Sequence, residues 1–369
     1  MRACVTGATG FLGGHIVRLL RERGHDVNGI CRDPRRPGAL TALDARRVKA
    51  DVCDHRALRR AFEGADVVFH TAGFVGSRPV DQAWRVNAES PLIAVEAAAD
   101  AGCRRVVLTS SISAIGLPDG EDPADERTAY PEEWLGLTYP DSKHEGERVA
   151  GEAAARRGVE LVVVNPAYAL GVPVDCAHPR VISSRVVGNY LRGRLPAVIA
   201  APMNFVDAED VAAGHLLAAE HGRAGERYIL GGCNTTWPSL IDRVAQLSGV
   251  RHPVAVLPRQ TARVARLGDT LGLPNLVHVE GFELMAQDWR FSAAKAENEL
   301  GYRTRPLDQT LRTTIGWYRD LIEYRAFQAS RRSALSSLAT TTRTLGKIGL
   351  LEPLKLGQRL AGRRVIAGV

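Results

Sequence analysis

From the N-terminus to about residue 165, short β-branched runs alternate with stretches whose apolar residues recur every three or four positions. The runs Ala3–Thr6, Asp26–Cys31, Arg46–Ala50, Val67–His70, Arg105–Thr109 and Glu160–Asn165 predict strands. The stretches Gly14–Arg23, Arg56–Phe62, Gln82–Ala101 and Ser142–Arg157 predict amphipathic helices. Such βαβα alternation predicts an α/β fold, a doubly wound parallel sheet with helices on both faces and ligands held beyond the C-terminal strand ends. After Pro166 the pattern breaks into prolines, glycines and short helical stretches (Arg180–Leu191, Ala208–Glu220, Ser239–Gly249). These predict a smaller lobe laid over the strand ends. The expected division is therefore 1–166, then 167–329 for the lobe that covers substrate, then a separate tail at 330–369.

The first predicted strand runs into Thr6-Gly7-Ala8-Thr9-Gly10-Phe11-Leu12-Gly13 and then into a helical pattern. Free N–H groups and the positive end of the helix dipole at such a turn suit a pyrophosphate. The spacing is G-x-x-G-x-x-G, and glycine-rich turns are common, so the chemistry downstream carries equal weight. The second strand ends at Cys31-Arg32, followed by Asp33, Arg35 and Arg36. An acid there would bind the adenosine ribose of NAD, whereas an arginine suits the 2′-phosphate of NADP. NADP is the expected cofactor, with NAD as the alternative. Asp51-Val52 after the third strand is placed either to contact the adenine edge or, with Asp54, to cap the next helix. Thr71-Ala72-Gly73 after the fourth strand is small enough for close backbone approach to the cofactor.

The fifth strand ends in Thr109-Ser110-Ser111, with Ser113 close behind, and its hydroxyls are expected to point into the crevice. Tyr139-Pro140-Asp141-Ser142-Lys143 follows; the i, i+4 spacing puts Tyr139 and Lys143 on one helix face. A neighbouring ammonium and a nicotinamide ring are expected to lower the phenol's pKa from about 10, so that Tyr139 exchanges a proton while hydride moves.

Bulk properties narrow this picture. A chain of 369 residues with 45% hydrophobic and 24% charged residues is an ordinary globular composition, and no apolar run approaches a membrane span. Met1-Arg2 runs straight into a strand, which gives no sign of a secretion signal and predicts a cytoplasmic protein. The six cysteines are scattered without a C-x-x-C pair, and no histidine spacing suggests a metal. The net charge of +7 is local: residues 331–369 hold eight Lys/Arg and one acid, leaving forty of each sign elsewhere. Nucleic acid is thereby excluded as a partner of the main body. In the tail, Leu335, Leu338, Leu345 and Ile348 fall within an arc of roughly 140° opposite Arg332, Arg343 and Lys347. Peripheral contact with an anionic membrane surface is one expectation for this segment, packing on its own domain another.

These residues together resemble the extended short-chain dehydrogenase/reductases, the superfamily of nucleotide-sugar epimerases, dihydroflavonol reductases and 3β-hydroxysteroid dehydrogenases. The resemblance rests on Thr6–Gly13, Asp51-Val52, Thr109-Ser110-Ser111, Tyr139-x-x-x-Lys143 and Asn165-Pro166, and covers about Met1 to Arg325. Trp84-Arg85-Val86-Asn87, Asn204–Asp207, Asp210–His215 and Glu226–Gly232 are similar to the dihydroflavonol-reductase-like group, especially its hopanoid-associated sugar epimerase branch. The resemblance implies a Rossmann-type NAD(P)-binding domain and a small-molecule substrate; a homodimer is usual for the family. It also implies roles: Ser111 orients a substrate oxygen, Tyr139 is the acid/base, Lys143 holds the nicotinamide ribose, Asn87 arranges the backbone around that lysine, and Pro166 packs on the nicotinamide. Net reduction of a ketone is the expected reaction, since epimerases and dehydratases tend to retain NAD. Epimerisation is the alternative, and a 3β-hydroxysteroid-dehydrogenase-like enzyme or a non-catalytic dinucleotide sensor stands behind both. A dehydratase would carry an acid where Ile112-Ser113 stand. Trp84, Trp237, Trp289 and Trp317 read as core, His70 and His215 as structural, Asp207 and Asp210 as helix caps. Arg290 reads equally as a surface residue or as the arginine that binds diphosphate in sugar-nucleotide enzymes.

Overall fold

The structure is a computed structural model that describes all residues except 36–37, 176–182, 271–278, 324–363 and 369. Its strands are β1 (Arg2–Thr6), β2 (Asp26–Cys31), β3 (Arg46–Lys49), β4 (Val67–His70), β5 (Arg105–Thr109), β6 (Glu160–Pro166), β7 (Tyr168–Leu170), β8 (Ala197–Ile199), β9 (Pro202–Asp207), β10 (Arg227–Leu230), β11 (Cys233–Thr236), β12 (Val254–Leu257) and β13 (Ile366–Ala367). Its α-helices are α1 (Phe11–Glu22), α2 (Ala39–Ala42), α3 (His55–Phe62), α4 (Val80–Trp84), α5 (Ser90–Asp100), α6 (Thr138–Arg157), α7 (Arg185–Leu191), α8 (Ala208–His221), α9 (Trp237–Ser248), α10 (Thr261–Thr270), α11 (Val279–Ala286), α12 (Ala294–Leu300) and α13 (Leu307–Glu323).

Seven parallel strands form the central sheet in the order β10-β6-β5-β4-β1-β2-β3. Alternate residues of each strand enter opposite cores. Val5, Phe69 and Val107 pack with α1 and α8, while Cys4, Val68 and Leu108 pack with α3, α5 and α6. Six of the seven strands match the sequence pattern. The seventh, β10, is a four-residue edge strand, too short for its period to stand out. Strand order reverses between β1 and β4, so the crevice opens where the Gly7 turn faces Thr71–Gly73. Two small sheets, β11-β9-β7 and β13-β12-β8, belong to the later part of the chain. Within the stretch read as a tail, residues 364–368 are described: β13 pairs antiparallel with β12. The apolar arc Leu335–Ile348 lies outside the described residues, and no described helix is long and apolar enough to cross a membrane.

Two local expectations change. The helix expected at Gln82–Ala101 is α4 and α5 joined through a π-turn at Arg85–Glu89. The helix expected from Ser142 starts at Thr138, so Tyr139 lies in its first turn.

Candidate active site

The turn after β1 is held by backbone geometry. Gly7 has φ +64°, and a Cβ there would meet the Ala72 nitrogen at 2.8 Å; the Gly10 N–H donates to the Gly7 carbonyl at 2.8 Å. The Thr6 hydroxyl accepts from the N–H groups of Thr71 and Ala72 (3.1 and 3.2 Å), which locks the two strand ends together. Thr9 and Gly10 are exposed on the rim, Phe11 and Leu12 half-buried, and Gly13 buried in α1. The first-turn N–H groups of α1, with no side-chain cap at Gly10, face this gap.

At the end of β2, Arg32 is exposed and makes no polar contact among the described residues. Asp33 Oδ1 accepts from the N–H and Nε of Arg35 at 3.1 and 3.3 Å; Arg36 lies outside the described residues. Asp51 is exposed and accepts from the Cys53 N–H at 2.9 Å, Val52 is half-buried beside it, and Asp54 rather than Asp51 caps α3.

The side chains expected to form the reaction centre gather over β4, β5 and β6. Lys143 is buried, and its ammonium donates to the Thr109 carbonyl at 3.0 Å. A Cβ on Gly73 would stand 3.2 Å from that ammonium. Asn87, in the π-turn, accepts from the Phe74 N–H (2.8 Å) and donates to the Phe74 carbonyl (3.0 Å) and Ser142 Oγ (3.1 Å). Ser111 Oγ accepts from Ser113 Oγ at 2.9 Å and from the Ser113 N–H at 3.2 Å. Its own proton is thus left free, and Ser111 is the group that counters the upward push of burial on the Tyr139 phenol. Ser111 is thus the serine that bears on Tyr139, and Ser113 supports Ser111. Pro166 closes β6, buried and in register with Leu230.

Four sequence expectations are corrected. The Thr109 hydroxyl does not face the crevice; it hydrogen-bonds His215 at 2.8 Å behind the strand, and only the carbonyl serves Lys143. The Tyr139 phenol is pushed up by burial, with the Ser111 hydrogen bond opposing, and no lowering by Lys143 is seen. Lys143 itself is lowered to about 8 by burial, against the opposing charge of Glu147. Trp84 is not core. It stacks on Trp134 at 5.8 Å in an aromatic group with Tyr130 and His144, whereas Trp237, Trp289 and Trp317 are buried. The histidines are structural: His70 is bonded to Thr6 and Ser90 and His215 to Thr109 and Val211, and burial lowers them to about 3 and about 4. Asp207 caps α8, but Asp210 binds Arg305.

Sequence reasoning passed over Glu147, Asp141 and Asn165 as partners. Asp141 accepts from Tyr130 Oη (2.6 Å) and the Leu135 N–H (3.0 Å), fixing the loop ahead of Tyr139. Asn165 Nδ2 donates to the Ser111 carbonyl (2.9 Å) and Glu147 Oε1 (2.6 Å). Glu147 lies one turn beyond Lys143, and that i+4 spacing was the available signal.

The residues fit a nicotinamide dinucleotide. The Gly7 turn and open α1 N-terminus suit its pyrophosphate. The bare backbone of Gly73 lies beside the Lys143 ammonium, and the buried Ser110 Oγ lacks a hydrogen-bond partner among the described residues. Residues 3–231 match the family model described as "NAD dependent epimerase/dehydratase family". The chain belongs to this family. It is 31% identical over 331 residues to a Synechocystis protein provisionally named dihydroflavonol 4-reductase, covering 86% of this chain and 94% of that one. It is 36% identical over 243 residues to cinnamoyl-CoA reductase 1 of Arabidopsis thaliana, covering 62% and 69%. The crystal structure of a nucleoside-diphosphate-sugar epimerase from Pseudomonas aeruginosa superposes with a TM-score of 0.71 at 29% identity, covering 87% of this chain and 98% of that one. The protein is thus an NAD(P)-dependent oxidoreductase of the extended short-chain dehydrogenase/reductase type, as the sequence motifs implied.

Proposed function

We propose that this chain is an NADP-dependent reductase that interconverts a ketone and a secondary alcohol. The observation that carries the reading is at the end of β2. Arg32 stands exposed without a polar partner among the described residues, while the nearest acid, Asp33, is occupied by Arg35. A free guanidinium there favours the 2′-phosphate, and an exchangeable NADP favours net reduction over a closed epimerase cycle. Arg290 supports the same side. Its guanidinium is spent on Asp288 (2.9–3.1 Å) and on the Gly120 and Glu121 carbonyls, so it is not free for a sugar-nucleotide diphosphate. The curated relatives above are named as reductases.

When bound, the nicotinamide supplies or accepts the hydride. Burial keeps Tyr139 a neutral phenol, the form that donates a proton to the carbonyl oxygen of a ketone. The Ser111 hydroxyl, aimed forward by Ser113, hydrogen-bonds that same oxygen. The ammonium of Lys143 stabilises the phenolate left behind, until solvent returns a proton. The oxygen gains one proton and the carbonyl carbon one hydride, giving the secondary alcohol. Alcohol oxidation runs the same steps backwards.

The test begins with the cofactor. The purified chain is expected to retain little nucleotide and to bind NADPH about tenfold or more tighter than NADH, one charge-assisted contact being worth about 1.5 kcal/mol or more. Tightly retained NAD would overturn the assignment and put the epimerase reading first. Tyr139→Phe is expected to lose roughly a hundredfold or more in turnover of ketone substrates found by screening, with NADPH affinity unchanged. Undiminished turnover sinks the role given to Tyr139.

A further inference from the structure

We propose that Glu147 is a positioning residue for the reaction centre: one carboxylate oxygen holds Ser111 in place through Asn165, and its charge keeps Lys143 an ammonium. This rests on the reading of Ser111, Tyr139 and Lys143 as that centre. Glu147 is buried in the middle of α6, a place where a carboxylate is retained only with partners. Its Oε1 accepts from Asn165 Nδ2 at 2.6 Å, and the same amide donates to the Ser111 carbonyl at 2.9 Å. Asn165 ends the apolar run of β6, so one amide spans two strand ends and fixes the peptide that carries the Ser111 hydroxyl. Glu147 Oε2 lies 3.1 Å from Arg227 Nη2 in an ion pair, without an aligned hydrogen bond. That buried oxygen thus keeps hydrogen-bonding capacity unfilled beside its ion pair, and Glu147 sits one helical turn from Lys143 on the same buried face.

Among the described residues, Glu147 is the acid whose charge bears on Lys143, whereas Asp141, two residues before the lysine, is turned to Tyr130 Oη and the Leu135 N–H. His70 from β4 faces the lysine as a neutral ring, its protonation opposed by burial and by the Lys143 charge. Tyr139 and Asn87 bring no charge, and Arg227 from β10 is the cation beside Glu147. His144 turns away to the Ala114 carbonyl. Glu96 and Asp100 of α5 pair with Arg156 and Arg157 at the far end of α6. Burial alone would drive the Lys143 ammonium to shed its proton, and Glu147 opposes that. Once the lysine is neutral, the Tyr139 phenolate loses its neighbouring positive charge and is left with the Ser111 hydroxyl. The reaction is therefore expected to fail as pH rises through the lysine's titration.

The chain has five lysines, so its lysine side chains can be watched directly. The full chain is labelled with [ε-¹³C]lysine, and the Lys143 signal is identified by its absence from Lys143→Arg. Its pH titration is then compared in the wild type and in Glu147→Gln, whose amide oxygen still accepts from Asn165. The wild-type midpoint is expected near 8. The Glu147→Gln midpoint should lie lower by about one pH unit or more, with the alkaline limb of the pH–rate profile moving alongside. An unchanged midpoint overturns the proposal, whatever the substrate proves to be, because this readout does not depend on turnover. Should Glu147→Gln not fold, Arg227→Gln decides: removing the competing cation should raise the midpoint, and one that stays or falls overturns the proposal equally. A shifted midpoint in a chain whose Tyr139→Phe variant stays active would instead indict the reading of the reaction centre.

Discussion

Gly73 stands where the chain leaving β4 passes the Lys143 ammonium, and a Cβ would lie 3.2 Å from Nζ and 3.7 Å from Asn87 Oδ1. Those distances are tight without being prohibitive, so Gly73→Ala should fold with stability changed by about 1 kcal/mol or less. The lysine, however, is pinned to the Thr109 carbonyl and has little room to give. Turnover should fall roughly tenfold or more, since displacements under an ångström at a reacting group have large effects. Thermal unfolding and steady-state kinetics check both halves, and unchanged kinetics would mean that the lysine retreats freely. Residues of this kind divide cleanly in legibility. Tyr139 and Lys143 were readable because their spacing alone puts them on one helix face. The Thr109–His215 bond, the Asn165 bridge and the upward push on the Tyr139 phenol were not, since each depends on groups 54 to 106 positions distant or on burial that no local pattern encodes.

Between residue and fold, the contact of α6 with the π-turn sets the height of the whole reacting face. Gly146 makes it possible: a Cβ there would run into the Asn87 carbonyl, a backbone atom that cannot swing aside. In a free helix, Gly→Ala is stabilising by about 1 kcal/mol. Here the sign should reverse, with Gly146→Ala costing about 1–3 kcal/mol of overpacking. Activity should drop as well, because Asn87 carries the clamp on Phe74 and the bond to Ser142. A melting temperature equal to or above that of the parent chain would refute this account of the packing. Sequence periodicity showed one helix from Gln82 to Ala101, and a π-turn leaves that period nearly intact. What gives it away is tertiary: the extra residue turns Asn87 inward, and only the position of β4's end explains why. The central strands β1, β4, β5 and β6 needed no such context, because buried parallel strands are apolar on both faces, whereas β3 is an exposed edge strand with Val48 as its apolar residue.

At the scale of the molecule, the chain returns to itself through β13. The Val256 N–H donates to the Val365 carbonyl at 2.9 Å, the Gly368 N–H to Asp242 Oδ1 at 2.8 Å, and Tyr190 Oη to the Gly368 carbonyl at 2.9 Å. Ile366 and Ala367 are buried, and Arg364 pairs with Asp242 of α9. A stretch of basic composition gave no reason to expect strand pairing, since two apolar residues are too few to show a period. Ending the chain at Arg363 removes one buried Ile, about 1.5–3 kcal/mol, and several hydrogen bonds of about 1 kcal/mol each. Tyr190 retains the Val250 carbonyl at 2.9 Å, so the loss should be confined to the β8–β12 sheet and α9 rather than spread through the fold. The seven-stranded sheet, where the dinucleotide crevice lies, also packs against α1, α3, α5, α6 and α8, although one of its faces shares an apolar core with the β8–β12 region. Truncation should therefore lower the melting temperature while leaving NADPH affinity within about twofold, and turnover should suffer through KM. If NADPH affinity collapses with the truncation, the shared core carries the loss as far as the crevice. If the melting temperature does not move, β13 rests on β12 without supporting it.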